Sequence, residues 1–465
     1  MNVGVGFKGS TTEQLSRGCP LRGVDIFGKP FIPVSHGPFS FFDLFNSLST
    51  ALDLMDPRMG DHHKLTCYIA ASLAKSLNLT SEDYRKVFAS ALVHDLGATS
   101  LKERLDILDF DVENPGDHAL MGEAILSVVE PLSDLATHVG DHHVIWNHGK
   151  GEVHRGREVS IISHILQLAD RVAVLIDRES PLVLLQAGAI KDKISDRSGD
   201  LFPPELTTAF CDIAGDANFW LGMDPGFLEK SLRDLSSFQD VFLDLGELES
   251  VSGIFAFIID SRSRFTASHS SGVATVAEAL ALAHGLGQET GTKLRIAGYL
   301  HDIGKLSVPS EILEKRDKLS EQERVIMNGH SFYTHKITKD IRGLEQISGW
   351  AANHHEFING SGYPFGLEGS ELSIESRVMT VADIFTALAE DRPYRPGVSK
   401  SKALEILNDF LSQGKIDRSV MQTLTENVDD INEQRRNAQA VVSKKMDIFW
   451  KAAAIYMEQR EKQGR

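Results

Sequence analysis

Cysteine is scarce in this chain: three in 465 residues, at positions 19, 67 and 211. An odd, scattered set builds no disulfide framework and no thiolate metal site, and it fits a reducing cytoplasm. Long apolar runs are missing too. None reaches the ~18 residues that a membrane helix needs, so no membrane association is expected. The opening Met-Asn-Val-Gly-Val-Gly-Phe-Lys has neither the basic start nor the apolar core of a secretory signal. A cytoplasmic location is the expectation. Positive charge is in deficit, with 48 Lys and Arg against 65 Asp and Glu, a formal charge of −17. That balance excludes a nucleic-acid polymer as partner, because nothing offsets the repulsion from its backbone. A small anionic ligand stays compatible if positive charge is local.

What is present is a soluble, globular composition, 42% hydrophobic and 24% charged, in a chain long enough for two or three domains. Residues 1–37 are rich in turn formers, Gly18, Gly23, Gly28, Pro30, Pro33 and Gly37 among them, and read as an irregular arm. From Phe41 the pattern turns helical, with Leu44, Phe45, Leu48, Ala51, Leu52 and Met55 near a 3.6-residue period until Asp56-Pro57. Then the chain repeats itself. Residues 62–97 align without a gap on 269–304 at an offset of 207 (269 − 62). His118 pairs with His330 and His142-His143 with His354-His355 at an offset of 212, and Asp170 with Asp383 at 213. Gly199–Leu206 has a counterpart in Gly414–Met421. Two copies of one mostly helical domain follow, with the seam near 235–245. The tail from Asp430 reads as one long helix.

The second copy carries His269, His301, Asp302, His330, His354, His355 and Asp383. Imidazole with carboxylate suits iron or manganese. Seven such ligands are too many for one ion and fit two that share a bridging Asp302. Paired metals suit phosphate-ester hydrolysis, since they activate the nucleophile and clamp phosphoryl oxygens. His301-Asp302 closes an apolar helical run (Leu294, Ile296, Ala297, Leu300). His354 and His355 would sit side by side on a helix, pointing about 100° apart. The first copy keeps every ligand type: His62, His94, Asp95, His118, His142, His143 and Asp170. The gapless register selects His62 over the adjacent His63, which falls opposite Ser270. Its surroundings differ, however. Ala98 answers Lys305, Asn147-His-Gly-Lys-Gly-Glu answers Asn359–Pro364, and Arg178-Glu-Ser-Pro-Leu answers Asp391–Arg395.

The second copy resembles the HD-GYP phosphodiesterases, a branch of the HD metal-dependent phosphohydrolases. The residues that carry the resemblance are Leu300–Lys305, Val308–Leu313, His354-His355-Glu356, Gly362-Tyr363-Pro364 and Asp391-Arg-Pro-Tyr-Arg395. It implies an all-α fold of two tandem HD-type domains related by the repeat. These would be an arm over 1–40, a degenerate HD domain over 41–238, a catalytic HD-GYP domain over 239–430 and a C-terminal helix over 431–465. It also implies two divalent ions, Fe or Mn, and a cyclic dinucleotide substrate, cyclic di-GMP or 3',3'-cyclic GMP-AMP. The products would be a linear dinucleotide and, after a second turnover, mononucleotides.

In that reading Asp302 and Lys305 are catalytic. Lys305, Gly362, Tyr363, Pro364, Arg392 and Arg395 face substrate, a compact ammonium suiting the scissile phosphate and guanidinium groups suiting phosphate or a guanine edge. Three positions depart from the family pattern. Asn359 replaces an acidic residue and Thr334 a common glycine. Phe265 stands where some members carry a Glu for a third metal, which favours two. The first copy is open to three readings: a structural or regulatory domain, a second hydrolase, or a ligand-sensing pocket. For the whole chain the alternatives are a non-catalytic module that binds the dinucleotide or a protein, and a hydrolase of another nucleotide. A homodimer or a signalling-protein partner stays open.

Overall fold

The computed structural model describes residues 38–54, 60–98, 110, 116–127, 132–178, 180, 182–236, 242–261, 268–315, 317–391 and 396–463. The irregular arm expected over 1–37 lies outside the described residues, as do Phe265 and Arg392–Arg395. The architecture is helical. Among the described residues, sheet is limited to two small antiparallel pairs. Phe39–Ser40 (β1) pairs with Phe242–Leu243, and Val153–His154 with Arg157–Glu158.

The first copy is built from α1 (Phe41–Asp53), α2 (His62–Ser76), α3 (Ser81–Val93), α4 (Gly116–Ser127), α5 (Ser133–Gly140) and α6 (Ile161–Leu175). Four shorter helices, Ala187–Ser195, Pro204–Ile213, Ala217–Leu221 and Leu228–Leu235, complete it. The second copy repeats the order: α7 (Leu245–Ser261), α8 (His269–Ala283), α9 (Gln288–Leu300), α10 (Glu321–Thr338), α11 (Glu345–Ala352), α12 (Ile374–Ala389), α13 (Lys400–Ser412) and α14 (Arg418–Gln463). The boundaries of α2, α3 and α5 recur in α8, α9 and α11 at the offsets the sequence gives. Gly199 and Gly414 both take positive φ, 78° and 68°, in the matching turns. That conformation costs glycine nothing and other residues a steric clash.

The tail helix differs from expectation. It begins at Arg418 rather than Asp430 and runs 46 residues, roughly 70 Å. Its start matches Pro204–Ile213 of the first copy, which is stopped by Ala214-Gly215-Asp216. The second copy continues without such a breaker. Val420, Met421, Leu424 and Ile431 are buried, which anchors the first turns of α14 in the core.

The copies share one continuous apolar core. Helix α1 joins them. Ser40 caps it by accepting the N–H of Asp43. Phe45 packs edge-on against Phe255 of α7, with ring centres 6.3 Å apart. Asp43 is buried and binds Arg342, beyond the end of α10, at 2.9 Å and Arg233 of the first copy at 2.9 Å. Burial opposes its charge, but these two guanidinium groups hold the carboxyl below the usual range. No helix among the described residues is long and apolar enough to cross a membrane.

Candidate metal centre and its copy

The seven residues of the second copy come from helices α8, α10 and α12 and from the turns that follow α9 and α11, and they meet at one point. His269 is the first residue of α8. The apolar face of α9 runs through Leu294, Ile296, Ala297 and Leu300, all buried, and delivers His301 at its C-cap. Asp302 follows and opens a 3-10 turn, Ile303–Ser307. A capping box of Ser320 and Glu323 starts α10, which carries His330 in its middle. Asp383 lies inside α12. His354 and His355 are not on a helix, contrary to the sequence expectation. Helix α11 ends at Ala352 and both lie in the turn beyond it, with ring centres 4.0 Å apart.

Asp302 is the hub. Its Oδ2 lies 3.2 Å from His301 Nε2 and 3.9 Å from His269 Nε2, and its Oδ1 3.4 Å from His330 Nε2. Asp383 reaches His269 Nε2 at 3.3 Å with one oxygen and His355 Nδ1 at 3.6 Å with the other. His330, His354 and His355 form one cluster of convergent donor atoms, and His269, His301 and Asp383 a second, each within 4.8 Å. Asp302 stands between them.

The imidazoles are oriented by the backbone. Nδ1 of His301, His330 and His354 sits 2.8, 2.6 and 2.6 Å from the carbonyls of Gly298, Met327 and Ala351. A carbonyl only accepts, so each Nδ1 carries the proton and each Nε2 lone pair points at the centre. His269 uses a carboxylate instead: Glu390 lies 3.0 Å from its Nδ1. Glu390 also accepts from Gln439 of α14 at 3.1 Å. Gly304 has no room for a side chain, since a Cβ there would fall 1.9 Å from the His330 carbonyl. Thr334, whose role sequence reasoning could not assign, spans this junction. Its hydroxyl donates to the His301 carbonyl at 2.7 Å and accepts from the Gly304 N–H at 3.1 Å.

The electrostatics suit cation binding. Burial opposes the charge of Asp302, yet His301, Lys305 and His330 hold its carboxyl well below the usual range. Asp383 is likewise held low, against burial, by His269 and His355. Burial drives His330 down to about 3 and His354 well below its ordinary value, leaving neutral imidazoles ready to ligate. His269 goes the other way. Burial is outweighed by Glu390 and Asp383, which push it up to about 10. A donor set of imidazole nitrogen and carboxylate oxygen fits a first-row divalent ion.

Lys305 sits at the rim, its ammonium 2.6 Å from Asp302 Oδ2. Beside it the loop after His355 folds back. Glu356, fully buried, accepts the N–H groups of Phe365, Gly366 and Leu367 at 2.6, 3.1 and 3.1 Å. Gly362 approaches the backbone so closely that a Cβ would meet Phe357 N at 2.4 Å. Tyr363 faces the His355 ring at 4.8 Å, and Pro364 follows in a cis peptide. Arg392 and Arg395, expected to contact substrate, lie outside the described residues. Sequence reasoning missed Glu390 and the anchoring task of Glu356; the only signal was their adjacency to Asp391 and His355.

The first copy assembles the same constellation. Asp95 Oδ1 lies 3.1 Å from His118 Nε2 and 3.6 Å from His142 Nε2, while Oδ2 lies 3.4 Å from His62 Nε2 and 3.2 Å from His94 Nε2. Asp170 Oδ1 faces His62 at 3.2 Å, and His143 Nε2 meets His118 Nε2 at 2.9 Å. His63 turns its Nδ1 to Asp53, although its donor atoms also lie near His94 and Asp95. The second copy has Ser270 and Asp260 at the same two positions, bonded at 2.9 Å.

Comparison with known proteins places this geometry. The chain matches the family described as HD domain twice, over residues 59–175 and 254–420. The 3'3'-cGAMP-specific phosphodiesterase 1 of Vibrio cholerae is 31% identical over 391 residues, covering 82% of this chain and 90% of its own. The 3'3'-cGAMP-specific phosphodiesterase 3 of the same organism is 28% identical over 433 residues, covering 81% and 92%. The cyclic di-GMP phosphodiesterase response regulator RpfG of Xanthomonas campestris matches at 34% over 172 residues, 37% of this chain and 45% of its own. A crystal structure of a cyclic GMP-AMP specific phosphodiesterase of Vibrio cholerae shares the fold, with a TM-score of 0.59 at 24% identity over 84% of this chain and 98% of that one.

Proposed function

Because the chain belongs to the HD-domain phosphodiesterases that act on cyclic dinucleotides, we propose that its second copy is the catalytic one and that 3',3'-cyclic GMP-AMP is its first substrate, with cyclic di-GMP as the competitor. The reaction is metal-dependent hydrolysis of a phosphodiester to a linear dinucleotide. Support for the base preference comes from coverage. Two relatives named for 3'3'-cGAMP match four fifths of the chain, through both copies; a third so named matches 30% of it, and those named for cyclic di-GMP match 24–37%.

The observation that carries the choice of copy is the rim. In the second copy a lysine and a tyrosine-bearing loop border the seven convergent ligands; in the first, Ala98 is buried where Lys305 would be. His269, His301, Asp302, His330, His354, His355 and Asp383 would hold two ions, Fe or Mn by donor type. When bound, such ions supply Lewis acidity and an activated nucleophile at neutral pH. The protein's own groups do the rest. Three backbone carbonyls and Glu390 fix the ring orientations, so the ligands need no reorganisation. Lys305 holds a positive charge at the rim, where it can meet the charge that develops on phosphoryl oxygen. Tyr363 gives the cleft a half-buried aromatic wall beside His355, on which a base can stack.

Chromatographic product analysis tests this, with protein loaded anaerobically with iron or manganese and 3',3'-cyclic GMP-AMP, cyclic di-GMP and cyclic di-AMP compared side by side. Cleavage of the first, lost in Asp302→Ala together with metal, is expected. No cleavage of any substrate by protein with confirmed metal would make the chain a binding module.

A further inference from the structure

The match to the HD domain in the second copy ends at residue 420, yet α14 continues well beyond it, to Gln463. Three side chains from that continuation form a chain of hydrogen bonds that leads to a ligand imidazole. Asn432 Oδ1 accepts from Arg435 Nε at 3.0 Å and from Nη2 at 2.9 Å, and Nη2 also donates to the carbonyl of Ala389 at 3.2 Å. Arg435 Nη1 donates to Gln439 Oε1. A guanidinium only donates, so it claims the oxygen of the Gln439 amide and leaves the NH2 group facing the other way. That group donates to Glu390 Oε2 at 3.1 Å and to the Ser268 carbonyl at 3.2 Å. Glu390 in turn lies 3.0 Å from Nδ1 of His269.

Arg435, Gln439, Glu390 and His269 are all buried. A carboxylate out of water is costly unless donors and opposite charge face it. Gln439 supplies the donor, and Arg435 the positive charge from one side chain further back. The backbone makes room for this: in the first turn of α8, a Cβ on Gly272 would fall 2.7 Å from Gln439 Nε2. The first copy is built otherwise. Its helix Pro204–Ile213 matches the start of α14 at an offset of 215 (414 − 199), so it stops at the position of residue 428 (213 + 215), short of Asn432. Asp177, which answers Glu390 at the offset of 213 that relates Asp170 to Asp383, is exposed.

We infer that α14 is a working part of the second centre: Arg435 and Gln439 are positioning residues that hold the Glu390 carboxylate on Nδ1 of His269 and so set how firmly that ring holds metal. The inference rests on the reading of the second copy as the metal-dependent one. It gives a task in the site to residues outside the stretch matched to the HD domain.

Metal affinity of the full chain, read by competition with a chromogenic chelator, tests this independently of turnover. The substitutions lie only in the second copy, so a change from the wild type belongs to its centre. Gln439→Leu keeps a side chain in the notch at Gly272 and removes the donor. It should weaken metal binding by about tenfold, the low end of the usual cost of losing an outer partner of a ligand histidine. In a Glu390→Ala background the same substitution should have little further effect, because the two residues act as one chain. Gln439→Glu, which sets two carboxylates against each other, should weaken binding more. Adding Glu390→Gln to it restores a donor facing an acceptor and should recover part of the loss. This exchange carries the test if Gln439→Leu fails to fold, which circular dichroism shows. Unchanged affinity in a folded Gln439→Leu chain overturns the inference. So does a fully additive loss in the Glu390→Ala background, or an exchange that recovers nothing. A wild-type chain that takes up no metal would overturn the metal-dependent reading itself, and the inference with it.

Discussion

The carboxylate of Glu390 lies 3.0 Å from Nδ1 of His269, across 121 residues of sequence. It is the only carboxylate among the described residues that binds a ligand imidazole of the second copy from the side away from the cluster. Gln439 and Arg435 of α14 hold it: Gln439 donates to Glu390, and Arg435 binds Gln439 and, at 3.2 Å, the carbonyl of Ala389. Carboxylates placed in this way fix the tautomer and raise the basicity of a ligand histidine. Glu390→Ala should therefore weaken metal binding by about 10–100-fold, and Glu390→Gln, which keeps an acceptor, by less. Competition with a chromogenic chelator measures it. Unchanged affinity in Glu390→Ala would remove Glu390 from the site.

Thr334 yields a second prediction. Its hydroxyl closes the junction between the end of α9 and the 3-10 turn that carries Lys305. Gly122 occupies the equivalent position in the first copy, where a Cβ would meet Val139 at 2.9 Å. Thr334→Val keeps the volume and removes both bonds, leaving the buried Gly304 N–H and His301 carbonyl without them. It should cost about 1–3 kcal/mol, read as a lower thermal midpoint. A variant as stable as the wild type would mean that water or a backbone shift replaces the hydroxyl.

How far the sequence alone reached depends on the range of each signal. The repeat made the helix order and the clustered His and Asp residues legible, because a constant offset transfers local pattern without any knowledge of contacts. His301-Asp302 at the end of an apolar run is such a local feature, and the structure puts it at the C-cap of α9. Thr334 was seen as a departure, but its meaning rests on where α10 crosses the turn, which no local pattern encodes. Glu390 depends on a helix that begins at Arg418 and returns to the site, and the sequence reading had that helix starting late. The turn at His354-His355 was misread as helix because two histidines carry no period and the helix stops only one residue before them.

His138, on α5 and four residues before His142, supplies a pH prediction. Burial, then the charge of Lys86, push its imidazole down to about 4 from an ordinary 6.5. The folded state thus disfavours the charged ring that the unfolded chain accepts. The neutral ring's contribution is fully present above about 6.5 and is lost as pH falls towards 4. His138→Gln removes the titration, so its thermal midpoint relative to the wild type should rise as pH drops across that window. A constant difference between pH 7 and pH 4.5 would mean that the ring is not buried in solution.

Lys305 separates chemistry from assembly. Its ammonium lies 2.6 Å from Asp302 Oδ2, close enough to balance a buried carboxylate, and also at the rim where a phosphate would arrive. These two tasks predict different losses. As the cation facing phosphate, Lys305→Met should lower kcat by about 10²–10³-fold, the usual cost of removing one group aimed at developing charge. Metal content should stay at the wild-type level, since Lys305 is not a ligand and bound cations would take over the balancing of Asp302. As a counterion alone, the same substitution would leave kcat per bound metal unchanged and alter the metal content instead. Metal analysis and kcat from one preparation distinguish the two. A loss of turnover at full metal occupancy is the expected result, and unchanged turnover would remove Lys305 from the reaction.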